Sequence, residues 1–136
     1  MNKTNVLLLL TPRVSLACLE EKMSVRQAYE KMRAHRYMAL PLISSRGEYI
    51  GTVTEGDILH YIVGKDKKIE EVSNVPVSHI VRKDYTPAVK VDADFRTVLE
   101  VIMGQNFVPV VDDRNVLMGI VTRKAVLKEL TKDEEN

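Results

Sequence analysis

The heptapeptide Gly51-Thr52-Val53-Thr54-Glu55-Gly56-Asp57 returns, altered, as Gly119-Ile120-Val121-Thr122-Arg123-Lys124-Ala125. Each copy lies ten residues after a proline, Pro41 or Pro109, and runs into an apolar tail, Ile58-Leu59 or Val126-Leu127. The interval from Pro41 to Pro109 therefore equals that from Gly51 to Gly119. Further upstream, Ser24-Val25-Arg26-Gln27-Ala28 answers to Asp94-Phe95-Arg96-Thr97-Val98, with the second copy two residues shorter between its helix start and its proline. A duplication of this kind constrains the fold more than any single motif, because neither copy can cover its own apolar face alone.

Within the first copy, Ser24 and Gln27 form a capping-box pattern, and Val25, Ala28, Tyr29 and Met32 fall on one helical face. His35-Arg36 should close that helix. A strand over 37–43, a turn over 44–48 with Gly47 at positive φ, and a return strand over 49–53 follow. A second helix then starts at Thr54 or Glu55 and stops at Gly64. In the second copy Asp94 caps a helix to Met103 whose buried face is Phe95, Val98, Leu99 and Ile102. Strands over 107–111 and 116–121 come next, then a helix from Thr122 through Leu130 and an acidic tail. Val14 to Leu19 alternates as a half-buried strand, and Ala88 to Val91 reads as a short one. Residues 64–68 make a charged linker, with helical turns expected over 69–72 and 77–81. The fold class is α+β: two pseudo-twofold-related β-α-β-β-α repeats packed sheet to sheet, 1–68 (with the N-terminal lead) and 69–136. Such a pair leaves two equivalent clefts, where small ligands tend to sit.

Twenty basic against nineteen acidic side chains leave a net charge of +1, which gives no electrostatic case for nucleic acid or an anionic membrane surface. The apolar run Val6 to Leu10 is too short to span a bilayer or serve as a signal segment, and is expected to pack on the body or on a second subunit. One cysteine, Cys18, excludes a disulfide within the chain and suits a reducing, cytoplasmic setting. His35, His60 and His79 have no metal-ligand spacing, and no nucleophile elbow, Walker loop or acid–base carboxylate pair is present. No metal, required cofactor or catalysis is expected.

The helix, the hydrophobic-Pro-hydrophobic strand, the short turn and Gly-x-hydrophobic-Thr-x-x-Asp before a second helix, given twice, resemble a tandem pair of CBS (cystathionine β-synthase) domains over about residues 11–130. The chain is also similar to small Firmicute-type CBS proteins that bind cyclic di-AMP, through Tyr37-Met38-Ala39-Leu40-Pro41, Asn106-Phe107-Val108 and Gly119 to Leu130. It looks like a stand-alone CBS pair.

The resemblance implies two unlike ligand sites. One combines Ala88, Val89, Phe107 and Val108 with Thr52, Thr54 and Asp57, the carboxylate accepting from ribose hydroxyls; the same Thr54 and Asp57 are equally suited to capping a helix. The other combines Ser15, Leu16, Ala17, Tyr37, Met38 and Ala39 with Ile120, Thr122, Arg123 and Lys124. There Ala125 replaces the ribose aspartate, while Arg123 and Lys124 oppose the helix dipole and invite a phosphate, unless they are simply solvated. Arg13, Arg82 and Lys83 precede the corresponding strands and could reach the same phosphates. The implied function is a non-catalytic regulatory module binding an adenine nucleotide (AMP, ADP, ATP or cyclic di-AMP), homodimeric, and signalling to a protein partner. The alternative is a dimerising adaptor with degenerate sites.

Overall fold

The computed structural model describes residues 4–82 and 85–135, except the side chains of 133–135. The first half runs β1 (Thr11–Pro12), β2 (Leu19–Glu20), α1 (Val25–His35), β3 (Ala39–Ile43), β4 (Tyr49–Thr54) and α2 (Glu55–Gly64). After two 3-10 turns, Ile69–Val72 and Val77–His79, come β5 (Val89–Lys90), α3 (Phe95–Ile102), β6 (Phe107–Val111), β7 (Leu117–Thr122) and α4 (Arg123–Glu135).

The capping signals start their helices where expected. Ser24 Oγ accepts from the Gln27 amide at 3.1 Å while Gln27 Oε1 accepts from the Ser24 amide at 3.0 Å, so two otherwise orphaned donors are satisfied reciprocally. Asp94 accepts from both the amide and the hydroxyl of Thr97, bonds that hold its carboxyl below the usual range. The last helix runs on to Glu135, past the end expected at Leu130.

The chain divides into two compact units, Ala17–Tyr85 and a second made of Met1–Leu16 with Thr86–Asn136. In the first, the sheet order is β2-β3-β4, with β2 parallel to β3 and β3 antiparallel to β4. A parallel pair cannot be joined by a tight turn, so α1 serves as the crossover. Leu19, Val25, Ala28, Met32, Leu42, Val53 and Ile58 form its core. In the second unit the order is β1-β7-β6-β5, with α3 as the crossover between parallel β5 and β6. Its core gathers Val6, Phe95, Val98, Ile102, Val108, Val121 and Val126. The repeat extends to detail: bulges fall at Leu42/Ile43 and Val110/Val111, and Gly47 (φ 82) and Asn115 (φ 66) hold the left-handed position of the two turns.

The N-terminal segment departs from expectation in two ways. Val14 to Leu19 is not one strand: Arg13–Ser15 is a 3-10 turn, Val14 is 92% exposed, and only Leu19 with Glu20 pairs. Alternation supplies an apolar face but not a partner strand, and among the described residues none runs beside 14–18. Thr11-Pro12, which reads as a stop, is instead an edge strand on β7, where proline's missing N–H breaks no ladder bond. The lead therefore packs with the second repeat rather than the first, and the compact units do not coincide with 1–68 and 69–136. Gly119 makes room for it, since a Cβ there would lie 2.2 Å from the Thr11 carbonyl oxygen. Gly51 has the corresponding role, with a Cβ 2.7 Å from Val81 Cγ2.

On β4 the Tyr49 hydroxyl shares a 2.7 Å hydrogen bond with Thr52 Oγ1, and burial pushes its pKa from 10.0 up to about 12. The protonated phenol is favoured in the folded state, so its contribution is intact below the ordinary tyrosine value and is lost as pH rises through the folded value. Between about pH 9.5 and 11.5 the unaltered protein should lose roughly 1–2 kcal/mol more stability than Tyr49→Phe. Urea titrations of both proteins at the two pH values check this; parallel losses would remove Tyr49 as the cause.

Candidate functional site

The Thr-x-x-Asp motif folds as a capping box at the start of α2. Thr54 Oγ1 accepts from the Asp57 amide at 3.1 Å, and Asp57 Oδ2 accepts from the Thr54 amide at 2.8 Å. The other carboxylate oxygen, Oδ1, lies 2.6 Å from Arg82 Nε. Asp57 keeps only 5% of its side chain exposed, whereas Arg82 is 47% exposed. The Arg82 guanidinium carbon sits 3.5 Å from the centroid of the Tyr85 ring, a cation–π contact. Beside this cluster runs a groove of ≈ 720 Å³ along α2, lined among others by Asp57, His60, Lys65, His79, Arg82 and Tyr85, all within the Ala17–Tyr85 unit. A carboxylate at the edge of a groove, flanked by a half-exposed cation and two imidazoles, can take hydroxyl donors at one end and an anion beside them.

The same unit also holds Thr52, buried and bonded to Tyr49, and Ala17, half-buried. Tyr37 and Met38 precede β3 rather than belonging to it, and both are exposed. Tyr37 stacks on His35 at 5.9 Å between centroids, and the Met38 carbonyl accepts from the Glu55 amide at 2.9 Å. Ala39 opposes Thr54 in the ladder, so residues assigned from sequence to different sites are neighbours here.

The other unit repeats this arrangement with different chemistry. Phe107 and Val108 are buried on β6, and Phe107 opposes Thr122 on β7. Val89 is buried on β5, while Ala88 and Ile120 are half-buried. Arg13 and Ser15 are exposed on their 3-10 turn, with Leu16 half-buried after it. Thr122 Oγ1 accepts from the Ala125 amide at 3.1 Å, but alanine returns no acceptor, so the box is half complete. Arg123 is turned to its neighbour: Nη2 donates to the Gln105 carbonyl at 2.9 Å and the Ile102 carbonyl at 3.4 Å, satisfying the C-terminal end of α3. Lys124 is exposed. Lys83 lies outside the described residues. Each sequence-predicted site thus draws residues from both units.

The sequence points to both Arg82 and Asp57 but not to their pairing, and it does not place His60, Lys65, His79 or Tyr85 at this site. His60 was the most legible of these, three residues after Asp57 on the same helix. Among the described residues no group of three His, Cys, Asp or Glu side chains could hold a metal ion, and no helix is long and apolar enough to cross a membrane.

The sequence matches the CBS domain family twice, over residues 10–64 and 72–132. It is 29% identical over 108 residues to a homoserine O-acetyltransferase of Methanocorpusculum labreanum, covering 79% of this chain and 21% of that protein. The chain spans about half or less of the length of the curated relatives it matches. Among solved structures, a CBS domain protein from Streptococcus pneumoniae is similar with a TM-score of 0.89 at 26% identity, covering 97% of this chain and 90% of that one. CbpB from Listeria monocytogenes, solved in complex with c-di-AMP, shares the fold with a TM-score of 0.87 at 20% identity, covering 97% and 98%. With two matched copies over most of its length, on two sheets that repeat each other down to their bulges, the chain belongs to the CBS domain family.

Proposed function

We propose that this CBS pair is a non-catalytic regulatory module that binds an adenine nucleotide and reports its occupancy to a protein partner, acting as a homodimer in the cytoplasm. The observation that carries the reading is Asp57, a nearly buried carboxylate in the first turn of α2 at the edge of a groove and with a cation beside it. A ribose diol donates to such a carboxylate, and a hydrogen bond to a charged group contributes roughly 1.5–3 kcal/mol. A phosphate matches the nearby guanidinium and the helix N-terminus. Similarity in fold to a protein solved with c-di-AMP supports trying cyclic di-AMP beside AMP, ADP and ATP.

The test is a thermal-shift panel of AMP, ADP, ATP, cyclic di-AMP and cyclic di-GMP. A ligand at one hundred times its dissociation constant adds about 2.7 kcal/mol to the folded state, which raises Tm by several degrees. Adenine nucleotides should shift the protein and cyclic di-GMP should not. Asp57→Asn, which keeps the capping acceptor and removes the charge, should lose at least half of the shift. A second reading, a dimerising adaptor with degenerate sites, is favoured by Ala125 and by the engagement of Arg123 with main-chain carbonyls. Flat responses to the whole panel at millimolar concentration would select it.

A further inference from the structure

Resting on the reading of the Asp57 groove as a nucleotide site, we propose that Arg82 is its specificity residue. It holds the carboxylate closed to uncharged diols and yields it to ligands whose phosphate takes the guanidinium in exchange. The oxygens of Asp57 are already committed: Oδ2 to the Thr54 amide and Oδ1 to Arg82 Nε. A ribose diol needs at least Oδ1, so a nucleoside must displace Arg82 or share its acceptor. Adenosine offers nothing to the guanidinium it displaces. A phosphorylated ligand offers an anion that two guanidinium N–H groups grip at once.

The surroundings of Arg82 suit such an exchange. Its main chain is seated beside β4, because Val81 packs against Gly51 where a Cβ would lie 2.7 Å from Val81 Cγ2. Movement is therefore left to the side chain, which is 47% exposed and can swing through its three methylenes. The Tyr85 ring, its centroid 3.5 Å from the guanidinium carbon, offers a platform on which the group can turn without losing its cation–π contact. His60, His79 and Lys65 line the same groove, so the incoming phosphate meets the Lys65 ammonium and imidazole groups beside the freed guanidinium.

The test is calorimetric titration of the full chain with adenosine, AMP and cyclic di-AMP, in the unaltered protein, Arg82→Ala and Tyr85→Leu. In Arg82→Ala, adenosine should bind about threefold to tenfold tighter, the half-exposed pair being partly screened. The phosphorylated ligand that binds the unaltered chain should bind about tenfold or more weaker. Tyr85→Leu, which removes the platform from both positions of the guanidinium and keeps both charges, should leave adenosine and the phosphorylated ligand each within about threefold. Raising salt should strengthen adenosine binding to the unaltered chain and weaken that of the phosphorylated ligand, because screening loosens the internal pair and the phosphate contact alike. Equal losses for adenosine and nucleotide in Arg82→Ala would make Arg82 a plain structural support and overturn the proposal. Tighter binding of both would make it a mere competitor and overturn it as well. If the unaltered chain binds none of the three, the nucleotide reading itself fails and this inference falls with it.

Discussion

Gly119→Ala should lower the unfolding free energy by about 3 kcal/mol, at the upper end of what an inserted methyl costs in a packed site. The added carbon would lie 2.2 Å from the Thr11 carbonyl oxygen and 2.9 Å from Leu10 Cγ. A backbone oxygen already registered in the β1–β7 ladder cannot rotate away, so the edge strand must lift. Gly51→Ala is the internal control. Its new carbon meets Val81 Cγ2 at 2.7 Å and the Arg82 carbonyl only at 3.7 Å, so the obstacle is a side-chain methyl. Truncating that methyl in Gly51→Ala/Val81→Ala should recover much of the loss, whereas trimming Leu10 should do little for Gly119→Ala. Urea unfolding of these variants beside the parent decides the matter. A Gly119→Ala protein within about 0.5 kcal/mol of the parent would mean that the lead does not sit tightly on β7.

Asp57→Ala should cost about 2 kcal/mol, combining a lost reciprocal cap with a lost ion pair that half-exposed Arg82 already shares with water. The second repeat offers the reverse experiment. There Thr122 caps the Ala125 amide and receives nothing back. Ala125→Asp supplies the missing acceptor at the positive end of α4 and should add about 0.5–1 kcal/mol. Urea unfolding reads both changes. If Asp57→Ala proved neutral, the first box would be spectator geometry. If Ala125→Asp destabilised the chain, the two helix starts would not be equivalent despite their common spacing.

Local signals in the sequence located most elements. The boxes at Ser24 and Thr54, the cap at Asp94 and the turn residue Gly47 all occupy the expected places, because each is decided within three or four residues of itself. The misreadings involve partners distant in sequence. Nothing in Val14 to Leu19 reveals the lack of a strand beside it, and nothing in Thr11-Pro12 reveals its pairing with β7. The same limit applies at the site. Asp57 was legible from its motif, but its pairing with Arg82 reaches past the rest of α2 and both 3-10 turns and follows no local periodicity. The contacts of Arg123 are hidden in the same way, because the acceptors it meets are main-chain carbonyls at and just beyond the end of α3, which carry no side-chain signature.

Because β1 registers Thr11 against Ile120, two strands that must meet are separated along the chain by the whole of the Ala17–Tyr85 unit. During synthesis at about 5–20 residues per second, the lead emerges roughly 5–20 s before its seat on β7 exists. Val6 waits with no core to enter. The Ala17–Tyr85 unit is contiguous and can form meanwhile, and once it has done so it no longer counts as loose chain to be closed. A segment made before that unit would then settle only after it.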